Sequence, residues 1–202
     1  MKINPIFCQM RAQRGISTYD EAYQFFRPSL EHLHDPFLMR DMDLAINRLT
    51  SAIQQKEKIL LYGDYDVDGT TSVALMFSFL KKYHEQLDFY IPDRYTEGYG
   101  VSFAGVDYAA QNEITLIIAM DCGIKANEKV KYAKGKGIDF IICDHHLPED
   151  ELPLAIAVLD PKRDDCKYPY KELSGCGIAF KLAQAFVEQN SLDTSQLSEL
   201  LD

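Results

Sequence analysis

The stretch Lys58-Ile-Leu-Leu-Tyr-Gly63, continued by Asp64-Tyr-Asp-Val-Asp-Gly69, decides the fold of this chain. A short apolar run bounded by charge on one side and by glycine on the other indicates a buried strand. The acidic residues after it connect this strand to a helix predicted over residues 71–83. A strand followed by a helix is the first half of a βαβ unit, in which the next strand lies parallel to the first.

The remainder of the chain repeats this alternation. Further strands are predicted over residues 87–91, 114–120, 138–143 and 155–159, and further helices over 102–111, 125–136 and 178–189. The pattern predicts an α/β fold with a mostly parallel sheet of about five strands, flanked by helices on both faces.

The first part of the chain is predicted to be helical. One helix, capped by Ser17 or Thr18, ends before Pro28, and a second covers residues 37–56 with apolar residues at three- and four-residue spacing. We therefore expect residues 1–57 to form a helical extension packed on the core, and residues 58–202 to form the main domain.

Acidic and imidazole side chains directly follow four of the predicted strands. Ligands of parallel sheets bind beyond the carboxyl ends of the strands, so these residues are expected to share one site. Carboxylates placed so close together stay ionised only if cations neutralise them. Oxygen ligands with imidazoles suit Mn²⁺ or Mg²⁺, and so many of them predict a two-metal site of the kind that hydrolyses phosphate esters. The residues are Asp64, Asp66, Asp68, Asp121, Asp144, His145, His146 and Asp160.

Simpler interpretations apply to parts of this pattern. An isolated aspartate after a strand is usually a helix cap, and Asp160 before Pro161 favours a turn. An EF-hand loop starting at Asp64 is excluded, because its twelfth position is Leu75 where glutamate is required. The segment Ser174-Gly-Cys-Gly177 opens a helix that could hold phosphate, but close helix–sheet packing explains its glycines equally well.

The composition limits the class of protein. With 31 acidic and 21 basic residues the formal net charge is −10, which argues against a simple basic clamp on nucleic acid. The cysteines are scattered, which indicates a reduced, cytoplasmic protein; they are Cys8, Cys122, Cys143, Cys166 and Cys176. The sequence contains no recognisable signal peptide and no apolar run of membrane-spanning length, so no membrane partner is expected.

Six stretches in the same order resemble the DHH phosphoesterase family, and most closely its branch of RecJ exonucleases, which are specific for single-stranded DNA. The Asp144-His-His146 triplet alone would be a weak match, but the ordered set covers almost the whole chain. The other stretches are Arg14-Gly-Ile16, Leu60-Leu-Tyr-Gly-Asp-Tyr-Asp-Val-Asp-Gly-Thr-Thr-Ser72, Ile91-Pro-Asp-Arg-Tyr-Thr-Glu-Gly-Tyr-Gly-Val101, Asp121-Cys-Gly123 and Leu173-Ser-Gly-Cys-Gly-Ile-Ala-Phe-Lys-Leu182.

The resemblance implies metal-dependent removal of nucleotides from the 5′ end of single-stranded DNA, in recombination and repair, with Mn²⁺ or Mg²⁺. It assigns metal ligation and catalysis to Asp66, Asp68, Asp121 and His145. It places Asp64 and Asp144 beside them, as ligands or as supporting groups. It also implies that His146 lies over the scissile phosphate as ligand, orienting group or acid, and that substrate is bound by Arg94, His146, Ser174 and Gly175.

The resemblance also predicts a gap at the end of the chain. Family members are longer and carry a further metal-binding aspartate, a second domain and an oligonucleotide-binding barrel. We therefore expect an incomplete domain that is folded but weakly active, and contacts with a single-strand-binding protein and a helicase through the missing parts. For Arg94, a surface salt bridge with Asp93 or Glu97 is the alternative to phosphate binding.

Two other functions stay open from the sequence. One is a small-substrate DHH phosphoesterase that acts on oligonucleotides, cyclic dinucleotides or phosphoadenosine phosphate. The other is a non-catalytic scaffold of the same fold, although such proteins usually lose the aspartates that this chain keeps.

Overall fold

The computed structural model describes residues 4–201 and divides the chain into two compact units, Met1–Asp35 and Pro36–Asp202. The outermost residues of both predicted domains, 1–3 and 202, therefore lie outside the described part. None of the helices in the described part is long and apolar enough to cross a membrane.

The first unit contains two short helices, α1 (Pro5–Ala12) and α2 (Tyr19–Phe26). Helix α1, which the sequence pattern does not predict, starts on a proline and is capped by the side chain of Asn4. Of the two predicted caps of α2, the structure selects Thr18: its hydroxyl accepts the Glu21 N–H, and the Glu21 carboxylate accepts the Thr18 N–H. This reciprocal capping box fixes the start of the helix.

The second unit is built on a five-stranded parallel sheet, in the order β2-β1-β3-β4-β5. The strands are β1 (Ile59–Gly63), β2 (Leu87–Tyr90), β3 (Leu116–Met120), β4 (Asp139–Cys143) and β5 (Ala157–Leu159). The predicted α/β fold with a mostly parallel sheet is confirmed. All residues of β1, β3 and β5 are buried, whereas β2 lies at an edge and is partly exposed.

Six helices accompany this sheet, and several begin at different residues from those predicted. They are α3 (Met42–Gln54), α4 (Val67–Leu80), α5 (Phe103–Gln111), α6 (Asn127–Gly135), α7 (Gly175–Gln189) and the short α8 (Ser195–Ser198). Helix α4 begins four residues before the predicted position, because the Asp66 carboxylate caps it by accepting the Gly69 N–H. The predicted start of α3 at residue 37 is replaced by a 3₁₀ turn, Pro36–Leu38.

The helices form a layer on each face of the sheet. Side chains of alternate strand residues, among them Leu60, Ile117 and Ile142, pack with α5 and α6 on one face. At the other face, α3 and α4 both pack against α7, and all three helices lie on the strands. The domain boundary predicted after residue 57 stays a prediction; within the second unit, α3 lies against α7 and β5.

Candidate metal centre

The strand order brings the predicted site residues together at the carboxyl edge of the sheet. Strand β1 lies between β2 and β3, so the chain passes over β1 when it runs from β2 to β3. Connections on either side of such a switch point diverge and leave a crevice beyond the strand ends. The segments that follow β1, β3 and β4 supply this crevice with Asp64 to Asp68, Asp121 and Asp144 to His146.

Asp64 is fully buried at the end of β1. Its Oδ1 accepts a hydrogen bond of 3.0 Å from the Gly100 N–H, while its Oδ2 is buried without a hydrogen-bond partner. Burial, aided by the nearby charge of Asp66, raises the pKa of this carboxyl group. An ionised carboxylate with one bare oxygen in this position is costly unless a cation reaches it.

Asp66 and Asp68 lie at the start of α4 and differ in their partners. The exposed Asp66 caps the helix through Oδ1. The carboxylate of Asp68 accepts the backbone N–H groups of Gly175 at 2.7 Å and Cys176 at 2.8 Å. The N-terminus of α7 therefore already holds an anion, and that anion is the side chain of Asp68.

Asp121 occupies the centre of the site, directly after β3, and is only 1% exposed. Its backbone has a φ of 59°, a left-handed conformation that is strained for a residue with a side chain. Its Oδ1 is buried and accepts no hydrogen bond, although His145 Nε2 lies 3.1 Å away. Burial first, and then the charges of Asp68 and Asp66, raise the pKa of Asp121 to about 8.

His145 connects the carboxylates of two different strand ends. Its Nε2 lies 3.1 Å from Asp121 Oδ1 and 3.7 Å from Asp68 Oδ2. Ligand atoms of Asp121, His145 and His146 also lie within 4.8 Å of one another, a spacing that one metal ion can bridge. The site thus combines carboxylate oxygens with imidazole nitrogen, as expected from the sequence.

Asp144 differs from the other carboxylates because both of its oxygens are occupied. Oδ1 accepts the backbone N–H groups of His145 and His146 and lies 2.7 Å from His146 Nδ1, and Oδ2 accepts the Ile124 N–H. Burial opposes its ionisation, yet the His146 and backbone hydrogen bonds outweigh burial and hold its pKa below the usual value. The same contact with Asp144 raises the pKa of His146. This arrangement orients the imidazole of His146.

Tyr99 also belongs to the site, although it is not among the residues predicted from the sequence. Its hydroxyl lies 3.1 Å from His146 Nε2 and donates to the Asp121 carbonyl at 3.4 Å. Burial and the charges of Asp121 and Asp64 raise its pKa, so the hydroxyl stays protonated. Its position inside the quoted stretch from Ile91 to Val101 is a sequence signal that indicates it.

Arg94 lies beside the site on the connection between β2 and α5. Its guanidinium packs over the ring of Tyr65, 5.3 Å from the ring centroid. Within residues 4–201, no salt bridge joins Arg94 to Asp93 or Glu97, whose carboxylates accept hydrogen bonds from other groups of the loop. The salt-bridge alternative is therefore disfavoured, and the guanidinium keeps its hydrogen-bond donors available for an anion.

Ser174 and Gly175 have structural roles in the described conformation. The Ser174 hydroxyl caps α7 by accepting the Gly177 N–H at 3.0 Å. A Cβ atom on Gly175 would lie 2.6 Å from the Cβ and Oδ1 atoms of Asp121, so only glycine allows this approach of α7 to β3. Their predicted contact with substrate stays a prediction.

Asp160 follows β5 and confirms the expected turn, since its Oδ1 accepts the Lys162 N–H at 2.7 Å. The sequence did not indicate that its Oδ2 is buried without a partner. Burial, with a smaller contribution from the charge of Asp144, raises the pKa of Asp160 to about 7.

Comparisons with known proteins agree with this architecture. The family model described as the DHH family, N-terminal domain, matches residues 58–202. The single-stranded-DNA-specific exonuclease RecJ of Bacillus subtilis is 42% identical over 100% of this chain and 26% of its own length. RecJ of Escherichia coli is 31% identical over 100% of this chain and 36% of its own length. The chain thus spans about a quarter to a third of these relatives.

Solved structures show the same fold. A crystal structure of exonuclease RecJ bound to manganese superposes with a TM-score of 0.72 at 28% identity, over 80% of this chain and 41% of that one. RecJ from Thermus thermophilus, in complex with Mn²⁺, has a TM-score of 0.68 at 22% identity, over 99% of this chain and 30% of that one. The family match over residues 58–202, which is more than half of the chain, shows that the chain belongs to the DHH family.

Proposed function

We propose that this chain is the DHH domain of a metal-dependent exonuclease that degrades single-stranded DNA from its 5′ end and releases 5′-nucleotides. The observation that carries the proposal is the bare, buried Oδ1 of Asp121, surrounded by carboxylates from two other strand ends. The similarity to RecJ exonucleases over the whole chain supports the substrate class.

The donor set fits Mn²⁺ or Mg²⁺. Asp64 Oδ2 and Asp121 Oδ1 are buried oxygens without hydrogen bonds, and a divalent cation would satisfy them. Asp66, Asp68, Asp121 and His145 would hold the ions, with Asp64 completing the set. Asp144 would support His146, because its Oδ1 already accepts three hydrogen bonds, whereas each oxygen of Asp68 accepts one and keeps a lone pair for an ion. Two metals bound here would activate a water molecule and offset charge on the phosphate.

The chain's own side chains would then place the substrate. Arg94 offers a guanidinium fork that matches the oxygens of a phosphate group. His146 is held between Asp144 and Tyr99, so its ring has a fixed direction before substrate arrives. The contact with Asp144 raises the pKa of His146, and a phosphate oxygen that displaced the Tyr99 hydroxyl from Nε2 would accept a hydrogen bond from that nitrogen.

Function in recombination and repair, a cytoplasmic location, and contacts with a single-strand-binding protein and a helicase are part of the same proposal. They rest on the resemblance to RecJ proteins, and the partners would be reached through segments of those proteins that this chain does not span. We also propose that the isolated chain is only weakly active.

The test is a cleavage assay with Mn²⁺ on a 3′-labelled single strand of about twenty nucleotides, the matching duplex, and a dinucleotide. We expect slow, EDTA-sensitive release of 5′-nucleotides from the single strand only, and none from an Asp66→Ala variant that remains folded by circular dichroism. Fast cleavage of the dinucleotide alone would instead favour the small-substrate phosphoesterase. Metal binding without any cleavage, even in a longer version of the gene, would favour the scaffold.

A further inference from the structure

The connection between β2 and α5 contains a turn, residues 93–97, that is held rigidly by its own side chains. Asp93 Oδ1 accepts the N–H groups of Tyr95 at 3.0 Å and Thr96 at 2.9 Å, together with the Thr96 hydroxyl. The Glu97 carboxylate accepts the Asp93 N–H and the hydroxyls of Tyr90 and Ser102. Hydrogen bonds within the 93–97 loop, and one from Tyr90 of β2, thus hold it in a single conformation.

The two side chains that this loop directs outward are Arg94 and Tyr95. Arg94 contacts the ring of Tyr65, whereas Tyr95 is 92% exposed, and no ring contact or hydrogen bond of its side chain occurs in the described part of the chain. A large aromatic ring that is almost wholly exposed on a rigid loop loses little conformational entropy when it is covered by a ligand.

An unbroken series of ring contacts joins this loop to the candidate metal centre. The Arg94 guanidinium lies over the Tyr65 ring. The ring centroids of Tyr65 and Tyr99 are 6.2 Å apart, and those of Tyr99 and His146 are 5.9 Å apart. A polynucleotide with one phosphate at the metal centre and another near Arg94 would therefore pass its bases along the 93–97 loop.

We propose that the 93–97 loop is a nucleobase-binding site, in which the Tyr95 ring stacks on an unpaired base next to the phosphate held by Arg94. The proposal rests on the proposed function and adds a reason for strand preference. Every base has a π face on which tyrosine can stack without reading sequence, but in a duplex that face is covered by the neighbouring base pairs. Stacking on Tyr95 would then select single strands of any sequence.

The charges around the 93–97 loop favour single-stranded DNA over a protein segment as its ligand. The loop lies beside a cluster of carboxylates that would repel an acidic peptide, whereas metal ions there would attract phosphate. Arg94 beside Tyr95 supplies the matching cation for the backbone of the strand.

The experiment measures binding by fluorescence anisotropy, with Ca²⁺ in place of Mn²⁺ to slow cleavage. The probes are a 3′-labelled oligothymidylate and an oligomer of the same length with abasic sites throughout. The wild-type chain should prefer the oligothymidylate. Tyr95→Ala should bind it about tenfold more weakly and lose the preference, and Tyr95→Phe should keep the preference because stacking needs only the ring.

Two controls separate the inference from the function on which it rests. Arg94→Ala should weaken binding of both oligomers alike, and Tyr170→Ala, at an exposed tyrosine outside the loop, should change neither. If Tyr95→Ala retains the preference for bases, the stacking site is refuted while the nuclease proposal stands. If the wild-type chain neither binds nor cleaves either oligomer, both proposals fall.

Discussion

Charged side chains lie at both ends of the sheet, but they are paired at the amino ends of the strands and partly unpaired at the carboxyl ends. At the amino ends of β1, β3 and β4, Arg48 donates to Asp139 at 2.7 Å and to both oxygens of Glu57. The Thr115 hydroxyl also donates to Glu57. At the carboxyl ends, Asp64 and Asp121 each keep a buried oxygen without a hydrogen bond, and no arginine pairs with them within the described residues.

The contrast separates charges that stabilise the fold from charges that serve a site. Burial opposes the ionisation of Glu57, but the contacts with Arg48 and Thr115 leave its pKa below the usual value. Burial and neighbouring carboxylates instead raise the pKa of Asp121 to about 8. Uncompensated carboxylates destabilise the metal-free fold, and such a cost is typical of functional sites.

The largest effect is expected when one carboxylate is neutralised at each end of the sheet. Asp121→Asn should weaken Mn²⁺ binding by more than about a hundredfold, since even outer supporting groups contribute ten- to a hundredfold. The same change should raise stability in EDTA, because an amide avoids the penalty of a buried charge. Calorimetric titration with Mn²⁺ and urea unfolding measure the two effects.

Asp139→Asn is the matched control at the amino ends, where Arg48 Nε donates to Asp139 Oδ2. It should leave Mn²⁺ affinity unchanged and lower stability. Equal metal binding by the wild-type chain and Asp121→Asn would remove Asp121 from the metal centre.

Removing the positive charge of Arg48 tests whether the paired charges at the amino ends of the strands stabilise the fold. Arg48→Met leaves Glu57 and Asp139 without their shared partner, in a region where the Arg48 side chain is only 16% exposed. We expect a loss of about 3 kcal/mol in the free energy of unfolding, measured in urea. Mn²⁺ affinity should be unchanged, and a parallel loss of metal binding would show that the two ends are coupled.

Gly175→Ala probes how closely α7 must approach the metal centre. The added methyl group would lie 2.6 Å from Asp121, so α7 or β3 must move, at a cost of about 2 kcal/mol. Gly135→Ala is the matched control, because nothing lies within 4 Å of its added Cβ; it should be neutral or slightly stabilising. Thermal unfolding of both variants in EDTA distinguishes steric crowding from a general effect of replacing helical glycines.

The change in stability over a single pH unit, from pH 7 to 8, should give the smallest effect. Asp121 has its pKa raised from 3.8 to about 8 and Asp160 to about 7, so between pH 5 and 8 the folded state binds more protons than the unfolded state. Stability of the metal-free chain should therefore fall as pH rises through this range, and the last step, from pH 7 to 8, should cost about 1 kcal/mol in urea titrations. Mn²⁺ should cancel most of the fall, and stability that rises with pH in EDTA would contradict the unpaired state of these carboxylates.

The sequence predicted the centre of the site better than its surroundings. Asp121 and Asp144 could be found because each follows a run of β-branched and apolar residues, and parallel strands end at one edge. Tyr99 could not be found, since its role depends on the folding of the loop between β2 and α5 over the end of β3. The apolar pattern predicts α4 only from residue 71, whereas the helix begins at Val67 because the Asp66 side chain caps it.

By itself, the sequence determined the class of fold, the edge of the sheet that carries the chemistry and the residue types gathered there. These follow from periodicity and from local rules of chain direction, which need no knowledge of distant contacts. Only the tertiary structure decided which carboxylates are free. Both oxygens of Asp68 and of Asp144 accept N–H groups, from α7 and from the loops after β3 and β4, whereas Asp64 and Asp121 each keep one buried oxygen without a hydrogen bond. That difference depends on which backbone donors the packing brings within about 3 Å, and such contacts between distant segments leave no local pattern in the sequence.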